Sequence, residues 1–244
     1  MTRPSAFAYI RGITLAAAVI AVAMILASGP GTKAGWWGWE TGIYFVGAAL
    51  FVGAASVVLA LVLLTLAIVP RFRVHTWMPL AALVLGLVAA VPPLLLIAKA
   101  KSVPEIHDIT TDAADPPAFV GLAAARRAAP NGFDYGGAAV AAQQRTAYPD
   151  IKPLVVKVPP REVVQRAIDA ARGLGWEVTH SDAAAGRVEA TETTYWFGFK
   201  DDVVIRVRPE GEGSRVDVRS VSRVGHSDLG ANAARIRRFL SKVS

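Results

Sequence analysis

The sequence predicts an α+β protein in which three transmembrane helices precede an antiparallel-sheet domain with two helices packed on one face. Two observations carry this. Hydrophobic residues make up 53% of the 244 positions, with a mean hydropathy of +0.40 and 18% charged residues, against roughly 25% charge in an ordinary soluble domain. The charge is also unevenly divided. Residues 1–98 hold five Lys or Arg and one acid, Glu40, whereas residues 99–244 hold 21 basic and 18 acidic residues. This composition excludes intrinsic disorder, a collagen-like fibre and a single water-soluble globule. The lack of cysteine excludes a disulfide scaffold, thiolate metal sites and cysteine catalysis. The net charge of +7 splits into +4 from the apolar part and +3 from the rest, so it is no sign of nucleic-acid binding.

Three uncharged runs define the apolar part. Gly12–Ser28 is 17 residues long, Gly42–Val69 is 28 and Trp77–Ala98 is 22, and each can cross a ~30 Å hydrocarbon core, the longest with tilt. Pro92 and Pro93 interrupt the third run, which membrane helices tolerate. The first run reads as a retained helix rather than a cleaved leader. It lacks a clear small-x-small cleavage site, and a second apolar run follows soon after. Trp36, Trp37, Trp39, Tyr44 and Trp77 sit at run borders, as interfacial aromatic residues do. Arg3, Arg11, Arg71 and Arg73 lie on one side and Lys33, Lys99 and Lys101 on the other, which places the N-terminus and the 70–76 turn in the cytoplasm. Three spans then export everything after Ala98. The small residues Ala49 and Gly53, four apart, suit close packing among the three helices. No ionisable side chain lies inside a run, which favours an anchor over a pump.

Residues 99–150 are rich in Asp, Ala, Pro and Gly and read as an extended connector. The cluster His107, Asp108, Asp112 and Asp115 suits turns built by side-chain bonds to backbone amides better than a metal site, since no further ligands accompany it. From Ile151 regular patterns appear. Leu154–Val158 reads as a strand. Pro159 and Pro160 open a helix that runs to Arg172, with Val163, Ala167, Ile168 and Ala171 on one face. Strands are predicted at Trp176–His180 and Arg187–Phe197, and a hairpin at Val203–Arg208 and Ser214–Ser222. Ser227 and Asp228 are candidate caps of a last helix from Leu229 to Val243. The chain thus divides into a membrane anchor (1–98), a connector (99–150) and a β-α-β-β-β-β-α domain (151–244). Strand alternation places Val216, Val218, Ser220 and Ser222 on one face and Asp217, Arg219, Val221 and Arg223 on the other.

The segment from Arg219 to Arg235, with Gly225, His226, Ser227, Asp228 and Asn232 inside it, resembles the C-terminal signature of the bacterial and plastid family known as domain of unknown function 1499. Ile106–Asp112 with Pro116, Pro117 and Phe119 resembles that family's N-terminal signature, and Asp201-Asp202 fits its middle. The resemblance covers roughly residues 104–242. It implies an envelope-associated α+β domain and carries over no reaction.

Two roles for the basic segment follow from its chemistry. Arg219, Arg223, Ser227, Asn232 and Arg235 would form an anion-recognition surface at a helix start, for lipid head groups or a cell-wall polymer. Alternatively, Asp108, Asp112, Asp201 and Asp202 pair with these arginines and lock the connector to the domain. Asp201 and Asp202, being adjacent in a strand, should point to opposite faces. A hydrolase or transferase would draw on His107, Asp108, Arg223, His226 and Asp228, but no complete catalytic set or catalytic motif is visible, and no cofactor is implied. The expected protein sits in the bacterial inner membrane. Its C-terminal domain is periplasmic and binds an anionic envelope component or partner protein.

Overall fold

A computed structural model describes residues 6–69 and 75–244. Arg3, Arg71 and Arg73, three of the four arginines used for orientation, lie outside the described residues. The chain forms two compact units, Met1–Lys99 with Trp196–Gly198, and Ala100–Tyr195 with Phe199–Ser244.

The first unit contains α1 (Ala6–Lys33), α2 (Trp39–Ala67) and α3 (Trp77–Lys101), each long and apolar enough to cross a bilayer. Pro30 in α1 and Pro92-Pro93 in α3 are carried inside the helices without ending them. Buried positions recur at three- and four-residue spacing, with Ala49, Gly53, Ser56, Ala60 and Leu63 on α2 and Ala82, Gly86, Ala89 and Pro93 on α3. One helix face therefore meets its neighbours while large apolar side chains such as Leu61 and Leu95 point outward. The contacts are alanine on alanine: Ala18, Ala60 and Ala82 form one cluster, and Ala21, Ala49 and Ala89 another. At Gly53 and Gly86 the backbones themselves meet. A Cβ on Gly53 would stand 2.9 Å from the Gly86 carbonyl oxygen, and one on Gly86 would stand 2.8 Å from that of Gly53.

The second unit is built on a six-stranded antiparallel sheet. Its strands are β1 (Asp108–Thr110), β2 (Leu154–Val156), β3 (Glu177–Asp182), β4 (Arg187–Thr193), β5 (Lys200–Glu210) and β6 (Gly213–Ser222). The order is β1-β6-β5-β4-β3, and β2 shares the outer edge of β6 with β1. Helices α6 (Pro160–Gly173) and α7 (Ala231–Val243) cover one face. Their apolar stripes, including Val163, Ala167, Ile236 and Phe239, bury against Val188, Val203, Ile205 and Val218, and Trp176 stacks on Phe239 with ring centroids 5.5 Å apart.

Several boundaries differ from the sequence expectation for local reasons. Residues 99–150 are not an extended connector. They supply β1 and two helices, α4 (Ala123–Ala128) and α5 (Gly137–Ala147), to the second unit. The strand expected to reach Phe197 stops at Thr193, because the Thr194 hydroxyl accepts the Phe199 N–H at 2.9 Å and closes a turn. The last helix begins at Ala231 rather than Leu229, since Leu229 and Gly230 adopt left-handed backbone at φ 54° and 81°. The sheet face that carries Arg219 and Arg223 is also covered. Phe119 and Leu122 pack on Val204 and Val221 there, and the buried Glu189 carboxylate accepts the N–H groups of Val120, Gly121 and Leu122 at 2.6, 3.2 and 2.7 Å.

Candidate functional site

The three segments that carry the family signature come together at the end of the sheet where β1 meets the C-terminal half of β6. Register explains this. Asp108 lies opposite Val221, Thr110 opposite Arg219, and Asp201 and Asp202 opposite Ser222 and Val221. Residues more than a hundred positions apart thus share one patch of sheet.

Carboxylates fill the arginine forks. Arg219 donates from Nε and Nη2 to Asp108 at 3.0 and 2.7 Å, and its remaining N–H groups reach the carbonyls of Phe133 (3.2 Å) and Pro117 (3.5 Å). The rings of Phe119 and Tyr135 flank this guanidinium at 5.5 and 5.6 Å. Arg223 makes a bidentate pair with Asp202 at 2.9 and 2.8 Å, and this bond, outweighing partial burial, raises its pKa. On the opposite face Arg235 donates to Asp201 at 2.5 Å, to Ser220 at 3.0 Å, and to Glu192 and Asn232. Asp201 and Asp202 therefore do face opposite ways. Asp112 instead accepts from Arg215 at 2.9 Å and stands 3.5 and 3.6 Å from Arg208 and Arg206, near the β5–β6 turn. Burial pushes its carboxyl up, but the N–H groups of Asp115 and Ala114 together with Arg215 and Arg206 outweigh this, so the net shift is downward.

The anion-recognition residues consequently meet the chain's own groups. The Asn232 amide donates to the His107 carbonyl and the Ser222 hydroxyl, both at 3.0 Å. Ser227 accepts the Leu229 N–H at 3.2 Å. Asp228 takes the N–H groups of Gly230 and Asn232 at 2.7 and 2.9 Å, which occupies the start of α7 with a protein carboxylate. Burial raises the Asp228 pKa, those two bonds oppose the rise, and the Asp201 charge adds to it. The residues of the hydrolase reading are only partly gathered. His107 Nδ1 lies 3.4 Å from the His226 carbonyl, but Arg223 is spent on Asp202 and Asp228 on backbone amides.

Four structurally important side chains gave no sequence signal. Arg126, 0% exposed, donates to the Ser222 and Gly132 carbonyls at 3.3 and 2.5 Å, stands 3.6 Å from Asp202, and keeps a buried Nε without a partner. Burial lowers its pKa against the pull of Asp202. Gln144 forms a two-bond ring with the backbone of Thr110, at 2.9 and 2.6 Å. Glu189 is the third. The Tyr135 hydroxyl is buried without a partner, and burial, reinforced by the Asp108 charge, pushes it up to about 12. Arg126, Tyr135 and Gln144 belong to alanine-rich or polar stretches whose fold depends on contacts made far along the chain, and Glu189, although on a predicted strand, has its partners in residues 120–122.

Beside this frame lies a partly enclosed cavity of about 260 Å³. Its wall comprises Glu105, Ile106, His107, Asp108, Asn131, Asp134, Gly136 and Val140. The lining offers the carboxylates of Glu105 and Asp134 and the imidazole of His107, while the Asp108 carboxylate is closed on Arg219 and the Asn131 amide on the carbonyls of Ser222 and Gly225. Such a wall suits hydroxyl-rich or cationic groups, because carboxylates accept hydrogen bonds and attract positive charge. Among the described residues no group of three or more His, Cys, Asp or Glu stands ready to hold a metal ion.

The family model described as protein of unknown function, DUF1499, matches residues 108–243. The chain belongs to the DUF1499 family. The match begins at Asp108, the acid that closes on Arg219, and ends within α7, so this DUF1499 domain comprises the whole sheet. The three apolar helices precede it. No curated protein matches the chain.

Proposed function

We propose that this DUF1499 protein is a membrane-anchored binding protein of the bacterial envelope, with its helices in the inner membrane and residues 100–244 on the periplasmic side. The observation that carries the binding role is the cavity walled by His107, Asp108, Asn131 and Asp134. It adjoins a rigid ion-pair frame, and rigid surroundings lower the entropy cost of holding a ligand. Its acidic wall favours a polar neutral or cationic envelope component or partner protein. An anionic ligand is the competing occupant, and Arg223, whose side chain keeps 23% exposure, is the group it would meet.

Isolation of the full chain from native membranes in nanodiscs, followed by mass analysis of what accompanies it, tests this reading. Asp134→Leu, at an exposed wall position, should lose a molecule that the unaltered chain retains. Identical sets from both would overturn the cavity as the binding site. Loss from Arg223→Ala alone, with an unchanged melting temperature, would favour the anionic ligand. A C-terminal reporter active in the cytosol would overturn the periplasmic placement.

A further inference from the structure

The connection between β4 and β5 is dense in aromatic residues. Thr194–Phe199 reads Thr-Tyr-Trp-Phe-Gly-Phe, four aromatic residues in six, in a chain whose aromatic share is 8%. The loop is built rather than slack. The Thr194 N–H donates to the Phe199 carbonyl at 2.8 Å, the Phe199 N–H returns to the Thr194 hydroxyl at 2.9 Å, and Gly198 supplies the left-handed bend at φ 70°. At its tip the Trp196 Nε1 donates to the Ser28 hydroxyl of α1 at 3.4 Å and Phe197 lies beside Gly42 of α2, while Tyr195 turns outward. Tyr195 is 86% exposed and Trp196 38%, an unusual cost for aromatic surface in water. No acidic residue lies between Thr194 and Lys200, and Lys200 follows directly.

We infer that this loop is a second membrane-contact element, whose occupant is the headgroup layer of the bilayer. Tyrosine and tryptophan favour that layer because an apolar ring and a polar edge are both accommodated there, and a flanking lysine reaches lipid phosphate. The division of the chain into units supports this source of contact. Trp196–Gly198, the tip of the turn, group with the apolar helices rather than with the sheet that carries them. The inference rests on the reading that the three helices cross a bilayer, and extends it. The protein would touch the membrane surface through a hairpin tip as well as through its spans.

The lack of cysteine in the chain makes the test direct. Single variants Tyr195→Cys, Leu61→Cys and Glu212→Cys of the full chain, reconstituted in phosphatidylcholine–phosphatidylglycerol vesicles, would carry a nitroxide spin label. Collision with oxygen, which concentrates in lipid, is then compared with collision with a water-soluble nickel chelate. All three side chains are exposed, so each position can carry a label. Leu61 reports the interior of a span. Glu212, in the turn at the other end of β5, reports water at a distance of about 35 Å along an eleven-residue strand. The expected result is an oxygen-to-nickel ratio at position 195 several-fold above that at 212 and below that at 61. Equal ratios at 195 and 212, with 61 in lipid, would overturn the loop inference and leave the anchor standing. Shielding of 195 from both reagents would overturn it in favour of a protein partner. Water access at 61 would overturn both readings.

Discussion

The two units of this chain treat buried polarity in opposite ways. In the helical unit the buried hydroxyls are satisfied within their own helix: Thr14 donates to the Ile10 carbonyl and Ser56 to that of Val52, both at 2.8 Å. Helix contacts rest on alanine and glycine, and shape alone holds them. In the sheet unit, three arginines (Arg126, Arg219 and Arg235) and five carboxylates (Asp108, Glu189, Asp201, Asp202 and Asp217) are buried, and they bond across long stretches of chain. The difference is what a bilayer around the apolar helices and water around the sheet would require. In lipid, apolar burial gives helices no reason to associate, so close fit must do it. In water, burial drives collapse, while paired charges select which collapsed arrangement is permitted.

The contrast is broken most forcefully at Arg219. Arg219→Ala would leave Asp108 buried and unpaired, at a cost of about 3–5 kcal/mol, read as a large fall in the denaturation midpoint of the purified chain. A change below about 1 kcal/mol would mean that the frame is ornamental. The helical counterpart is smaller. Gly53→Leu would force α2 and α3 apart where Gly53 meets Gly86 and cost about 1–3 kcal/mol, measurable by unfolding in mixed detergent micelles. Gly47→Ala, whose Cβ would meet nothing within 4 Å, should be neutral. Equal responses at the two glycines would deny that shape holds the helices.

The smallest effect is in pH dependence. Asp112 has a folded pKa below its unfolded value, so its stabilisation is complete above about pH 4 and is lost as pH falls through the lower folded value. Asp228 has the opposite sign, its raised folded pKa making the domain gain stability as pH drops through it. Asp112→Asn should therefore flatten the acid limb of the stability profile, and an unaltered limb would assign acid sensitivity elsewhere.

How much could be read from sequence divides along the same line. The three helices are legible because composition alone marks them. Strands β3 to β6 show through alternation, and that same rule sends Asp201 and Asp202 to opposite faces. Strand β1 is three residues long, and its partner Val221 lies 113 positions after Asp108, so nothing local marks it. Helix α4 has six residues, too few for periodicity to register. The arginines were legible as a group, but the occupancy of their forks was not, since it depends on which acids the register brings opposite. Arg126 and Gln144 are recognisable only once the backbone they serve is in place.

Any tension applied through α3 would enter the sheet at β1, the first element after it. A three-residue strand offers little mechanical resistance by itself, having few rungs to its neighbour. The Asp108–Arg219 fork, the Gln144 amide closed on Thr110 and the mutual bonds of Thr111 with Val218, at 2.8 and 2.9 Å, all lie within four residues of that entry point. They work as a strain relief of the kind fitted where a cable enters its housing, so a pull on the tether is spread over β6 before it can peel the strand away.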